Sequence, residues 1–206
     1  MQLCTSDPIP GDYIAEKVMQ LCTSDPILGE ILMKFHYQNP KRLFHGILFD
    51  VLSVEAEHPK GGKMRRELVD HPGAVVILPF LNKEEILLIR NKRDIVQRTL
   101  WELPAGKLEK DESPEDCAAR ELVEETGYQG TKFTPLLNFF TSPGFSNELI
   151  YGYVAEDLTH VGQNLDESEE IDVEPTKLSD ALQMIKEGTI CDAKTICALL
   201  HFHTFQ

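Results

Sequence analysis

The apolar positions of this chain fall in short runs, and most runs have the composition of strands. Phe44 to Val54 is mostly apolar and β-prone. Lys60-Gly61-Gly62-Lys63 follows and reads as a hairpin turn, with Met64 to Val69 as the returning strand. Gly73 to Leu81 is apolar enough to be a buried strand. Asn82-Lys83-Glu84 then turns the chain into a partner strand, Glu85 to Arg90. Thr99 to Leu103, Thr131 to Phe140, Leu149 to Val154 and Glu170 to Glu174 are further strand-like stretches, whereas Leu178 to Lys186 and Ala193 to Phe202 read as helices. Short strands mixed with a few helices predict an α+β domain.

The first 42 residues stand apart. Met1-Gln-Leu-Cys-Thr-Ser-Asp-Pro-Ile9 recurs identically as Met19-Gln-Leu-Cys-Thr-Ser-Asp-Pro-Ile27. Two copies are too few for a solenoid, whose units need neighbours to bury their apolar faces. Each Ser-Asp-Pro is a helix-start signal, so the segment is expected to hold two short helices, with Asn39-Pro40 breaking the second. The expected division is an extension over 1–42 and one domain over 43–206.

A third helix is framed by its caps. Ser113 is the expected N-cap, Pro114 occupies the first helical position, and Asp116 is placed to reach back as in a capping box. Gly127 is a left-handed stop. Between them Ala118, Ala119, Leu122 and Val123 are able to face a core, while Glu121, Glu124 and Glu125 share another face at i, i+3 and i+4. Like charges at that spacing disfavour a helix by roughly 0.2–0.5 kcal/mol per pair. Arg120 cannot neutralise three acids. A hard divalent cation can, since Mg²⁺ takes oxygen ligands and often joins carboxylates to substrate phosphates.

Composition narrows the chemistry further. The chain has 206 residues with 34 acidic and 20 basic side chains, a formal net charge of −14. That disfavours binding to a nucleic-acid backbone, which relies on basic surface, but not a small anionic substrate held by a metal and a few cations. No apolar run is long enough to span a membrane, and no signal-peptide pattern opens the chain. Five cysteines without metal spacing suggest reduced thiols and a cytoplasmic protein.

Gly106, Glu112, Arg120, Glu121, Leu122, Glu124, Glu125 and Gly127 together match the pattern G-x5-E-x7-R-E-U-x-E-E-x-G-U, with U a bulky apolar residue. Tyr128 stands where an aliphatic residue is usual. The chain therefore resembles the Nudix hydrolase family. From about Arg42 to Leu200 it looks like the ADP-ribose pyrophosphatase branch. Arg65-Arg66-Glu67-Leu68-Val69-Asp70-His71-Pro72-Gly73 is similar to that branch's entry strands, Trp101-Glu102-Leu103-Pro104-Ala105-Gly106 to its approach to the box, and Thr141-Ser142-Pro143-Gly144-Phe145-Ser146-Asn147-Glu148 to its proline-marked loop. The resemblance implies an α/β/α sandwich around a mixed sheet. It also implies a homodimer that exchanges N-terminal strands, here the hairpin within 43–70.

The implied reaction is Mg²⁺-dependent hydrolysis of ADP-ribose to AMP and ribose 5-phosphate, with Mn²⁺ as a possible substitute. Another nucleoside diphosphate sugar, GDP-mannose or ADP-glucose, is the alternative, and a non-catalytic nucleotide-binding module the more distant one. Carried over onto this sequence, Glu121 and Glu125 are the primary metal ligands, with the Ala105 carbonyl as a third and Glu124 as an auxiliary. Glu112 supports them and Arg120 orients the glutamates. Glu169, or its neighbour Glu167, is the candidate general base. Arg93, nine residues before Glu102, is the candidate phosphate-binding arginine, whose fork suits a diphosphate. Pro143 shapes the pocket around the terminal ribose, and Glu148 is a candidate substrate contact. Trp101 is a substrate-binding candidate that reads more readily as core than as an adenine stacker. Phe44 and Phe49 are the candidates for stacking the base.

Overall fold

The computed structural model describes residues 38–58, 60–165 and 170–206. The repeated segment and its two expected helices lie outside the described residues. The chain divides into two compact units, one reaching to His71 and including Ser142–Asn147, the other formed by Pro72–Thr141 and Glu148–Gln206.

The first unit is an antiparallel sheet of three strands in sequence order, β1 (Gln38–His45), β2 (Asp50–Glu57) and β3 (Lys63–Asp70). The single strand expected from Phe44 to Val54 is instead two strands around a turn, closed by the Gly46 N–H donating to the Phe49 carbonyl at 3.2 Å. Ile47 and Leu48 at the tip are 95% and 60% exposed, so their apolar character hid the turn. Asn39-Pro40 lies in β1, and the helix it was expected to break lies outside the described residues. That strand is an edge, where a missing N–H is tolerated, and its register shifts between Gln38 and Lys41. The expected Lys60–Lys63 turn closes β2 onto β3, with the His58 N–H on the Gly62 carbonyl at 2.8 Å. Leu52, Val54 and Leu68 form this sheet's small core.

Residues 142–147 are stapled to β3. Val69 N–H donates to the Phe145 carbonyl at 2.7 Å and Asn147 N–H to the Val69 carbonyl at 3.2 Å. The Asn147 amide donates to Asp70 Oδ1 at 2.7 Å, and its oxygen accepts the His71 N–H at 2.8 Å.

The second unit holds a mixed four-stranded sheet and a three-stranded antiparallel one. The first has the order β7 (Ala105–Lys107), β4 (Ala74–Pro79), β10 (Leu149–Glu156), β9 (Lys132–Phe140), with β10 parallel to β4. The second has the order β12 (Ile171–Lys177), β5 (Glu85–Arg93), β6 (Arg98–Glu102). A two-residue pair joins β8 (Tyr128–Gln129) to β11 (Thr159–His160). The helices are α1 (Pro114–Thr126), α2 (Leu178–Glu187) and α3 (Ala193–Phe205).

Burial explains the apolar run at Gly73 to Leu81. Val76 and Leu78 pack with Ala181, Ile190, Ala198 and Leu199 from the α2–α3 region, while Val75 and Ile77 on the opposite face of β4 are equally buried. Both α1 and α3 pack on β4, so neither face is left to water. Pro135 is accommodated because β9 is an edge strand with a register break there. Among the described residues no helix is long and apolar enough to cross a membrane.

Candidate active site

Helix α1 begins and ends as its sequence dictates. The Ser113 hydroxyl accepts the Asp116 N–H at 3.1 Å and donates to the Asp116 carboxylate at 2.6 Å. Asp116 thus answers the cap through its side chain rather than by bonding the Ser113 backbone. At the other end Gly127 adopts φ 73°, its N–H donating to the Val123 carbonyl at 2.8 Å. A Cβ there would also stand 2.7 Å from the Gln163 nitrogen, so glycine is required twice over.

One guanidinium organises the acids. Arg120 forks onto Glu112, Nε to Oε1 at 2.8 Å and Nη2 to Oε2 at 3.0 Å. Its Nη1 donates to Glu121 Oε1 at 2.7 Å and to Glu124 Oε2 at 2.8 Å. Nη2 also reaches the Lys107 carbonyl at 3.2 Å, tying α1 to β7. The Arg120 side chain is 26% exposed, and Glu112 and Glu121 are 13% exposed each, so these bonds are only partly screened by water. Arg120 holds the Glu112 carboxyl down at about 2, against the effect of burial and with help from the Glu109 N–H. The same bonds, the one to Glu112 foremost, raise the Arg120 pKa despite burial.

The other two carboxylates meet β7. Glu125 is 3% exposed, and its Oε2 accepts the Ala105 N–H at 2.8 Å. The Glu121 carboxylate lies against Gly106 in space that any Cβ at that position would fill. Ala105, Glu121 and Glu125 are therefore brought together, with Glu112, Glu124 and Arg120 around them. Among the described residues no three His, Cys, Asp or Glu side chains converge as a ready-made metal cage, and Glu112, Glu121 and Glu124 are bonded to Arg120. Two carboxylates and a backbone oxygen nonetheless suit Mg²⁺, which commonly binds one or two carboxylates and completes its shell with water and phosphate. The hard oxygen donors fit such an ion.

The remaining candidates are dispersed. Arg93 forks onto Glu102, Nε to Oε1 at 2.9 Å and Nη2 to Oε2 at 2.7 Å. Its side chain is 42% exposed, and its Nη1 has no partner among the described residues. Trp101 is half-buried against the core, with the Arg90 guanidinium 5.7 Å from its ring centroid. Glu148 Oε2 accepts the Thr141 hydroxyl at 2.5 Å where β9 and β10 meet the intervening loop. Pro143 belongs to the first unit, exposed in a turn in which the Phe145 N–H donates to the Ser142 carbonyl at 3.1 Å. The Phe44 and Phe49 rings, in that same unit, are 6.4 Å apart and tilted by 48°.

Glu167 and Glu169 lie outside the described residues, but the chain on either side is held near α1. Gln163 donates to the Glu125 carbonyl at 2.6 Å and to the Ile171 carbonyl at 3.3 Å, and Asn164 N–H donates to the Glu124 carbonyl at 3.1 Å. Sequence reasoning did not single out Gln163, Asn147, Glu102 or Lys194. Glu102 had a signal, a lone carboxylate between Trp101 and Leu103 in a strand; the others carried none.

A model of the NUDIX domain matches residues 70–199. An ADP-ribose pyrophosphatase of Bacillus subtilis (strain 168) is 40% identical over 161 residues, 77% of this chain and 87% of the relative. A GDP-mannose pyrophosphatase of Escherichia coli O139:H28 (strain E24377A / ETEC) is 34% identical over 170 residues, 78% and 87% respectively. A solved structure described as an ADP compounds hydrolase superposes with a TM-score of 0.70 at 23% identity, covering 82% of this chain and 92% of that one, and shares its fold. With the signature residues gathered on one helix and one edge strand, and a domain match over most of the chain, this chain belongs to the Nudix family.

Proposed function

We propose that the chain hydrolyses the pyrophosphate of ADP-ribose, releasing AMP and ribose 5-phosphate, with Mg²⁺ as its cofactor and Mn²⁺ as a substitute. The observation that carries this reading is the arrangement of Ala105, Glu121 and Glu125 beside Gly106, under a guanidinium that fixes the surrounding acids. The 40% identity to an ADP-ribose pyrophosphatase supports the substrate.

Glu121, Glu125 and the Ala105 carbonyl hold the metal, and Glu124 assists. Bound there, Mg²⁺ supplies charge neutralisation for the diphosphate and acidifies water. Arg120, already saturated by carboxylates, orients Glu121 and Glu124 rather than touching substrate. Glu112 anchors that guanidinium. Arg93 presents its free edge to a phosphate oxygen. Glu169, or Glu167, takes the proton of the attacking water, whose oxygen bonds to phosphorus as the bridging P–O bond breaks. Pro143 shapes the surroundings of the terminal ribose, Glu148 is a substrate hydrogen-bond contact, and Trp101 packs against the core. The enzyme acts in the cytoplasm as a homodimer exchanging its N-terminal strands.

A second reading, hydrolysis of GDP-mannose by the same machinery, is favoured by the 34% identical GDP-mannose pyrophosphatase. AMP release from ADP-ribose, with and without Mg²⁺, beside GDP-mannose and ADP-glucose, tests both. Fast Mg²⁺-dependent release from ADP-ribose alone is the expected result. A tenfold or greater preference for GDP-mannose replaces the substrate but keeps the chemistry. Tight ADP-ribose binding without turnover of any compound points to a binding module.

A further inference from the structure

Helix α3 begins inside the second unit with three polar side chains that turn back on the strand leading to the site. Asp192 caps the helix, its Oδ2 accepting the Thr195 N–H at 3.0 Å and the Thr195 hydroxyl at 2.7 Å. That hydroxyl accepts the Leu103 N–H at 2.8 Å, a buried bond. Lys194 lies between, its ammonium shared by Asp192 Oδ1 at 3.0 Å and Glu102 Oε2 at 2.5 Å. The Lys194 side chain is 16% exposed and Glu102 only 1%.

Glu102 Oε2 thus receives two cations from different elements, Nη2 of Arg93 on β5 and Nζ of Lys194 on α3. Burial alone pushes such a carboxyl up; Arg93 and Lys194 reverse that and pull it below the ordinary carboxylate range. Lys194 is itself paired with Asp192, so the cluster is balanced at two cations and two carboxylates. What Lys194 adds is a second, nearly buried anchor for the carboxylate on which the Arg93 fork sits.

We infer that Lys194 is a positioning residue for substrate binding: by anchoring Glu102, it holds in place the carboxylate on which the Arg93 fork sits, and so fixes the outer edge of that fork for the diphosphate. This rests on the proposed reaction and on Arg93 as a phosphate contact. Since Arg93 would meet phosphate in ground and transition states alike, loss of Lys194 raises KM and spares kcat.

The test is steady-state hydrolysis of ADP-ribose by the full chain and its variants. Lys194→Met is expected to raise KM about tenfold with kcat within about twofold, and Lys194→Arg to restore KM. In an Arg93→Ala background the same Lys194→Met change is expected to add nothing to KM, since its effect runs through Arg93. Should Lys194→Met fail to fold with Glu102 under-compensated, Glu102→Gln/Lys194→Met removes the buried charge, and KM is still expected to be high because the Arg93 fork has lost its ionic seat. An unchanged KM in Lys194→Met, or a normal KM in the double variant, overturns the assignment and leaves the proposed function standing. A parent enzyme that ignores ADP-ribose overturns both.

Discussion

The Glu121 carboxylate occupies the space that a Cβ on Gly106 would need. The signature therefore contains a steric rule: its first glycine carries no side chain, so Glu121 of α1, the proposed metal ligand, can lie against β7. What stands in the way of an alanine is the far end of a flexible side chain, so the fold can absorb the methyl group by moving the glutamate. Gly106→Ala is expected to fold, with a stability change within about 1 kcal/mol, and to lose about a hundredfold or more in kcat/KM for ADP-ribose. Thermal melts beside Mg²⁺-dependent turnover check it; a fully active Gly106→Ala would show that the position of Glu121 does not matter.

Arg120 bonds three carboxylates and a carbonyl at once, a geometry that only a planar fork provides. Lysine keeps the charge and loses the fork. Arg120→Lys is expected to lower stability by about 1–3 kcal/mol and kcat by about tenfold to a hundredfold, because Glu121 and Glu124 lose their alignment. Urea unfolding and kcat measured together decide it. A loss of stability with normal kcat would confine Arg120 to a structural role.

Much of this was legible in the sequence because its signals are local. Ser113, Pro114 and Gly127 bound α1 by capping chemistry, and the alternation and runs of apolar residues located β3, β4, β5, β9, β10 and β12. The turn at Gly46–Phe49 was not legible, since an exposed Ile47-Leu48 imitates strand interior. Nor was β7, three residues long with a glycine at its centre, whose pairing comes from β4 rather than from its own propensity. The resemblance makes Arg93 a phosphate-contact candidate, but its fork onto Glu102 had no local signal. The second cation on that glutamate, Lys194, lies 92 positions away from it, and such a separation leaves no periodicity to read.

The depressed Glu112 carboxyl ties stability to pH. Its folded value of about 2 lies below the unfolded value of about 4.3, so its contribution is present in full above that value and fades as pH falls from there toward 2. Glu112→Gln removes the titration. The stability gap between the parent and this variant, measured by urea unfolding of metal-free protein, is expected to be widest at pH 7 and to narrow steadily below about pH 5. A gap of constant size across pH 7 to 3 would mean that the Arg120–Glu112 fork is not coupled to folding.

Asn147 joins its loop to β3 through both ends of one amide. Alanine keeps the two backbone bonds at Val69 and removes the side-chain pair. If the loop carrying Pro143 selects the sugar, Asn147→Ala is expected to shrink the preference for ADP-ribose over GDP-mannose by about tenfold, roughly the worth of one or two hydrogen bonds, with kcat on ADP-ribose largely kept. The ratio of kcat/KM for the two substrates reports it. An unaltered ratio would separate the loop from specificity.

Glu125 offers the sharpest division between folding and catalysis. It is almost wholly buried, and its Oε2 accepts the Ala105 N–H. Glutamine retains an acceptor for that bond and removes one of two like charges four residues apart on α1. Metal-free Glu125→Gln is therefore expected to be as stable as the parent or more stable by about 0.2–0.5 kcal/mol. As a metal ligand it is a poor replacement, and kcat is expected to fall by about a thousandfold or more. Melting curves of metal-free protein and single-turnover rates with Mg²⁺ separate the two effects. Near-normal turnover would remove Glu125 from the metal site. A variant that failed to fold would mean that the buried charge itself, not the hydrogen bond to Ala105, holds α1 against β7.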